Sequence, residues 1–149
     1  MSRNKKNNSE NQEPQIKETR KDALKRLFLE NNLVEEDGYK DPRGFAIITR
    51  SGIDKIVSKQ GITVAYEPLL LELKKDNINV VIRAAASMQG KNNKPINMMS
   101  FGEASDNNLM GGAKKFPVAM AEKRAMSRVV LKIAGFYEQG AFGQDEMVD

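Results

Sequence analysis

Val118-Ala119-Met120-Ala121-Glu122-Lys123-Arg124-Ala125-Met126-Ser127-Arg128-Val129-Val130-Leu131-Lys132-Ile133-Ala134 decides the fold class. It contains no breaker, Pro117 suits its first turn, and Gly135 is placed to end it. On a helical wheel Val118, Ala119, Ala125, Met126, Val129, Val130 and Ile133 cover nearly half the circumference. A helix resting on one sheet needs a narrower stripe, so the excess predicts a second packing partner, such as another subunit. Arg124, Arg128 and Lys132 recur at i, i+4 and i+8 on the remaining side. Like charges at this spacing repel, so the row gives the helix nothing by itself and an anion would compensate it. The bland reading is a solvated face. Glu122 falls in the apolar sector, where it could reach the rim or pair with a base across an interface.

Upstream, three segments alternate with the period of a strand. Ile62, Val64 and Tyr66 alternate with Thr63 and Ala65. Pro68 interrupts, which suggests a bulge or an edge, and alternation resumes at Leu69, Leu71 and Leu73. Lys74-Lys75-Asp76-Asn77 is a polar turn. Ile78, Val80, Ile82, Ala84 and Ala86 share one face of the next strand. Gln89 to Pro95 forms a second hairpin loop, and a third strand runs from Ile96 to about Ala104. Connections this short predict an antiparallel meander. A flexible polar link, Ser105 to Gly112, then leads to the long helix.

Further out, a flanking helix is expected from about Ile16 to Asn31, with Ile16, Leu24, Leu27 and Phe28 on one face. Gly44 to Ile48 reads as a short strand. Thr49 or Ser51 could cap a short helix over Gly52–Val57 that Gly61 stops. The fold class is therefore α+β: a meander of three to four strands packed on a long C-terminal helix, with an N-terminal helix beside it. Residues 1–15 are polar and are expected to be a disordered tail. Residues 16–137 form the domain. Residues 138–149, with four acids and no base, read as an acidic flexible tail.

Composition narrows the function. The chain has no cysteine and no histidine, so Ser-His and Cys-His nucleophiles are excluded and a zinc site is not expected. Gly90-Lys91-Asn92 fails the phosphate-loop pattern. No catalytic residue, metal or cofactor is expected, and the reading is not an enzyme. No segment has the length and apolarity of a membrane span or a secretory signal, so a cytoplasmic location, bacterial or in a phage-infected host cell, is expected. The formal charge is +4, and residues 112–132 hold six bases against one acid. With only nine aromatics and no tryptophan, phosphate contact is favoured over base stacking.

The hairpin, then Ser100-Phe101-Gly102-Glu103-Ala104, then Phe116-Pro117-Val118-Ala119-Met120-Ala121-Glu122-Lys123-Arg124-Ala125-Met126-Ser127-Arg128 and Gly135-Phe136, resembles single-strand annealing proteins of the Rad fifty-two superfamily. The Sak and Erf groups of phage recombinases are similar. Ile47–Ile53 and Gly61–Val64 also look like the entry to this fold, and the resemblance spans roughly residues 44–137. It implies a curved sheet with the long helix on its concave side. It implies homo-oligomeric rings or filaments that bind single-stranded DNA by its phosphates and anneal complementary strands in recombination or repair. A single-strand-binding protein or an exonuclease would be a partner. By position, Arg128 and Lys132 match backbone-contacting bases of the superfamily. The nucleic-acid-binding set expected here is Lys114, Lys115, Lys123, Arg124, Arg128, Lys132, Lys74 and Lys75, with Lys91 and Lys94 as a further part of the groove wall. Two other readings compete: a double-stranded RNA-binding domain, and a phage structural or assembly protein.

Overall fold

A computed structural model describes residues 18–147. The element order is α1 (Arg20–Glu30), β1 (Gly38–Lys40), β2 (Ala46–Ile48), α2 (Arg50–Gln60), β3 (Thr63–Lys74), β4 (Asn77–Gln89), β5 (Pro95–Ser105), α3 (Pro117–Ile133) and β6 (Ala141–Gly143). The expected α+β class, meander and long C-terminal helix are all present. The N-terminal tail expected over residues 1–15 lies outside the described residues.

β3, β4 and β5 form an antiparallel sheet in that spatial order. Its register explains the alternating sequence. Val80, Ile82, Ala84 and Ala86 of β4 are buried on one face, with Ser100, Gly102 and Ala104 of β5 beside them. α3 packs over this face, mainly on β4 and β5. The approach is close at Gly102, where an added Cβ would collide with the backbone of Ala121 and Ala125. Only a glycine lets helix and strand meet at this distance. The register of β3 on β4 shifts between Pro68 and Leu70. Leu69 is thus the extra residue of a bulge, which returns Leu71 and Leu73 to the face shared by Val64 and Tyr66. Both the bulge and the edge position that Pro68 suggested are realised.

From Ala121 onward the broad apolar circumference of α3 is satisfied within the chain, while Val118 and Ala119 in its first turn are exposed. Ala121 and Ala125 meet the sheet, while Val130, Met126 and Ile133 are buried on other sides of the helix. α2 and β6 supply that second layer, together with turns that flank β6. The expectation of another subunit as the second partner arose because neither the length of α2 nor the existence of β6 is visible in local periodicity.

That second layer holds the main departures from expectation. β1, β2 and β6 form a second sheet, with β1–β2 antiparallel and β2–β6 parallel. β6 lies inside the segment expected to be a flexible tail. Ala141 is buried, and Phe142 stacks edge-on against both Phe45 and Tyr137. Asp145 and Glu146 of this segment are not left in water: the Asp145 carboxylate accepts from Ser127 Oγ of α3, and Glu146 pairs with Arg128. The helix expected from Ile16 begins at Arg20, and Ile16 itself lies outside the described residues. Thr19 caps it by accepting from the Asp22 amide at 3.1 Å. Thr49, not Ser51, caps α2, and Gly61 ends it in the left-handed region at φ 63°. Among the described residues no helix is long and apolar enough to cross a membrane.

Candidate nucleic-acid interface

α3 runs antiparallel to β5. Ala121 and Ala125 sit on Gly102, Arg128 reaches Phe101, and Lys132 reaches Ser100. The basic row therefore lies along the outer edge of β5, not on open solvent. In an antiparallel edge strand every second residue turns its N–H and C=O outward. On β5 these include Phe101, Glu103 and Ser105, and one outward group of each finds a partner within the chain. Arg128 Nη1 donates to the Phe101 carbonyl at 2.7 Å, and Arg124 Nη1 donates to the Glu103 carbonyl at 2.8 Å. The Ser105 amide donates to Asn108 Oδ1 at 2.7 Å.

Arg124 is not the exposed phosphate contact the spacing suggested. It is only 5 % exposed, and it also donates to Asn108 Oδ1, the Asn108 carbonyl and the Asp145 carbonyl. Burial, and then the charge of Arg128, push its pKa below the ordinary value, while Asp145 opposes them. A guanidinium stays protonated regardless, and here its donors are spent on backbone oxygens. Arg128 is half-spent too, since its Nε donates to a nearly buried Glu146 carboxylate at 2.8 Å. Lys132 donates to Ser100 Oγ at 3.2 Å and lies 5.2 Å from the centre of the Tyr137 ring. Equal spacing on a wheel says which bases share a side, but not what that side touches.

The expected link from Ser105 to Gly112 is likewise anchored rather than loose. Asp106 accepts from the Ile78 amide at 2.8 Å and donates its own amide to the Ile78 carbonyl at 3.4 Å. Leu109 is buried. This ties the start of α3 to the end of the sheet that carries the β3–β4 turn.

Compared with models of known protein families and with curated proteins, the chain matches none. The assignment of a site therefore rests on geometry. The remaining lysines of the expected set are exposed: Lys74 and Lys75 in the β3–β4 turn, Lys114 and Lys115 in the turn before α3, and Lys123 on α3. None forms an ion pair among the described residues. The antiparallel course of α3 puts Lys114 and Lys115 at the same end of the sheet as Lys74 and Lys75. Phe116, 64 % exposed, follows directly in sequence. Lys123 leaves α3 on the side opposite Ala121 and Ala125, away from the sheet. Lys91 and Lys94 occupy the β4–β5 turn at the far end, roughly 35 Å away along strands of this length. They cannot line one short wall with Lys74 and Lys75.

The exposure of one face near this end was not visible in the sequence. α3 leans toward β5, so the matching face of β3 is left largely open. Leu71 and Leu73 are 51 % and 57 % exposed there, on the face that also carries Tyr66 further along β3. Burial, then the nearby Glu122 carboxylate, raise the Tyr66 hydroxyl above its ordinary value, against the charge of Arg50. Glu122 thus stands at the rim, on the β3 side. The pattern of leucines was legible, but the tilt that uncovers them was not.

Proposed function

We propose that the protein binds single-stranded DNA through its phosphates, without base readout, and anneals complementary strands as a homo-oligomer in recombination or repair. One observation carries this reading. Lys74, Lys75, Lys114 and Lys115 gather at one end of the meander with no carboxylate bound to any of them among the described residues. Four unneutralised ammonium groups around one edge favour a polyanion that brings several charges at once. The resemblance of residues 44–137 to annealing proteins of the Rad fifty-two superfamily supports the same reading. The open leucines of β3 support self-association, because an apolar strip on an edge strand is a surface that subunits cover. Arg128 and Lys132 stand behind these lysines, already engaged by the protein, and Lys123 adds charge on the far side of α3.

Binding to a labelled single strand, followed by fluorescence anisotropy across a salt series with duplex DNA and duplex RNA as competitors, tests the reading. Replacing Lys74, Lys75, Lys114 and Lys115 by alanine should weaken binding and flatten the salt slope by about 0.7 per lost phosphate contact. A folded variant with unchanged affinity and slope would overturn it. An assembly protein is the reading that follows if the wild type binds no strand at low salt yet still self-associates through β3.

A further inference from the structure

We propose that the groove between α1 and the β1–β2 ribbon is a docking site for an acidic amphipathic peptide of another protein. The groove is distinct from the lysines at the meander end. Its main part encloses about 560 Å³, and a second part of about 480 Å³ continues it along α1. The floor is apolar: Leu24 and Phe28, one helical turn apart on α1, face Phe45 and Ala46 across the gap. All four are only partly buried, so the floor is open to an incoming side chain.

The rim is basic. Arg20, Lys21, Lys25 and Lys40 line the groove, and no carboxylate lines it. All four are exposed and form no ion pair among the described residues. Of the acids on and beside α1, Arg26 holds both Glu18 and Glu30, and Asp22 does not line the groove. Lys21 and Lys25 stand at i and i+4, so they repel each other unless an anion lies between them.

An apolar floor under an unneutralised basic rim selects a partner of opposite pattern. Two apolar anchors one helical turn apart would fill the floor, and flanking carboxylates would meet the rim. The chain's own residues 1–17 do not fit, since they hold four bases against two acids and share the sign of the rim. A second copy, with a formal charge of +4, brings the same sign.

The test uses the full-length protein and a fluorescent peptide rich in Asp and Glu, with one Leu and one Phe a helical turn apart. Saturable binding is expected, weakening as salt rises and absent for the Asn/Gln version of the peptide. The surface variant Lys21→Ala/Lys25→Ala/Lys40→Ala, which removes no packed side chain, should bind the peptide roughly tenfold more weakly. Its affinity for a single DNA strand should stay that of the wild type. Four outcomes would overturn the proposal: no binding of the acidic peptide, equal binding of the neutral one, no effect of the three lysines, or a parallel loss of strand binding that makes the groove a nucleic-acid site. In the first of these cases, binding of phosphatidylserine vesicles would reassign the groove to a lipid surface.

Discussion

Arg128 Nη1 donates to the carbonyl oxygen of Phe101 at 2.7 Å, so a side chain of the long helix occupies an outward acceptor of the edge strand. Arg124 does the same for Glu103 one turn earlier. Two bases of a row that looks made for phosphate instead occupy two outward carbonyls of a sheet edge. This is a means of keeping an edge strand from pairing with another chain.

The two arginines should differ in what they hold. Arg124→Ala takes the guanidinium donors away from the carbonyl oxygens of Glu103, Asn108 and Asp145 and empties a buried site, and should cost about 2–4 kcal/mol of stability. Arg128→Ala, at a more exposed site, should cost about 1–2 kcal/mol. Urea denaturation of both variants measures the order. If Arg124→Ala proves the milder change, its assignment as a structural residue fails.

Gly102→Ala forces a Cβ into the backbone of α3, with the Ala125 Cα at 2.9 Å as only the third-nearest atom. Neither backbone can yield without moving the helix off the sheet, so a loss of about 3 kcal/mol or more is expected. Gly112→Ala meets open space and should be nearly silent. Equal thermal midpoints for the two variants would contradict the close approach described here.

Asp37 is 2 % exposed in side-chain terms and pairs with Lys55 at 2.6 Å. Burial alone would raise its pKa. The Lys55 ammonium, the Val34 amide and the Ser51 hydroxyl outweigh burial and hold the carboxyl below its ordinary value of 3.8. A depressed folded-state pKa adds stability that is present above the unfolded value and is lost as pH falls through the folded one. Asp37→Asn should therefore be less stable at neutral pH, by about 2–3 kcal/mol, and the gap should narrow below about pH 4. A gap that stays constant down to pH 3 or so would remove the ionised Asp37 from this role.

Ending the chain at Gly140 removes β6, Asp145 and Glu146. The loss should be about 3 kcal/mol or more, since Phe142 leaves its place between Phe45 and Tyr137 and Arg128 loses its carboxylate. Differential scanning calorimetry of the shortened chain reads this directly. An unchanged melting temperature would mean that the segment is a tail after all.

What the sequence by itself determined is local. The two-residue alternation over Ile62–Ala104 specifies three strands, because only one register buries Val80, Ile82 and Ala84 together. The unbroken run after Pro117, stopped by Gly135, specifies α3. Pro68 marks the bulge, and Thr49 and Gly61 mark the limits of α2. Each of these rests on interactions within a few residues or on a face repeated along one element. The tertiary structure alone decided what the faces touch. Three-residue strands such as β1, β2 and β6 have no period long enough to see, and their stability comes from pairing partners up to about a hundred positions away. The acids of the C-terminal segment read as solvated until α3 is placed beside them. The row Arg124, Arg128 and Lys132 reads as a binding surface until β5 is placed beneath it. A charge pattern fixes the sign of a partner, but only packing says whether that partner is already present within the chain.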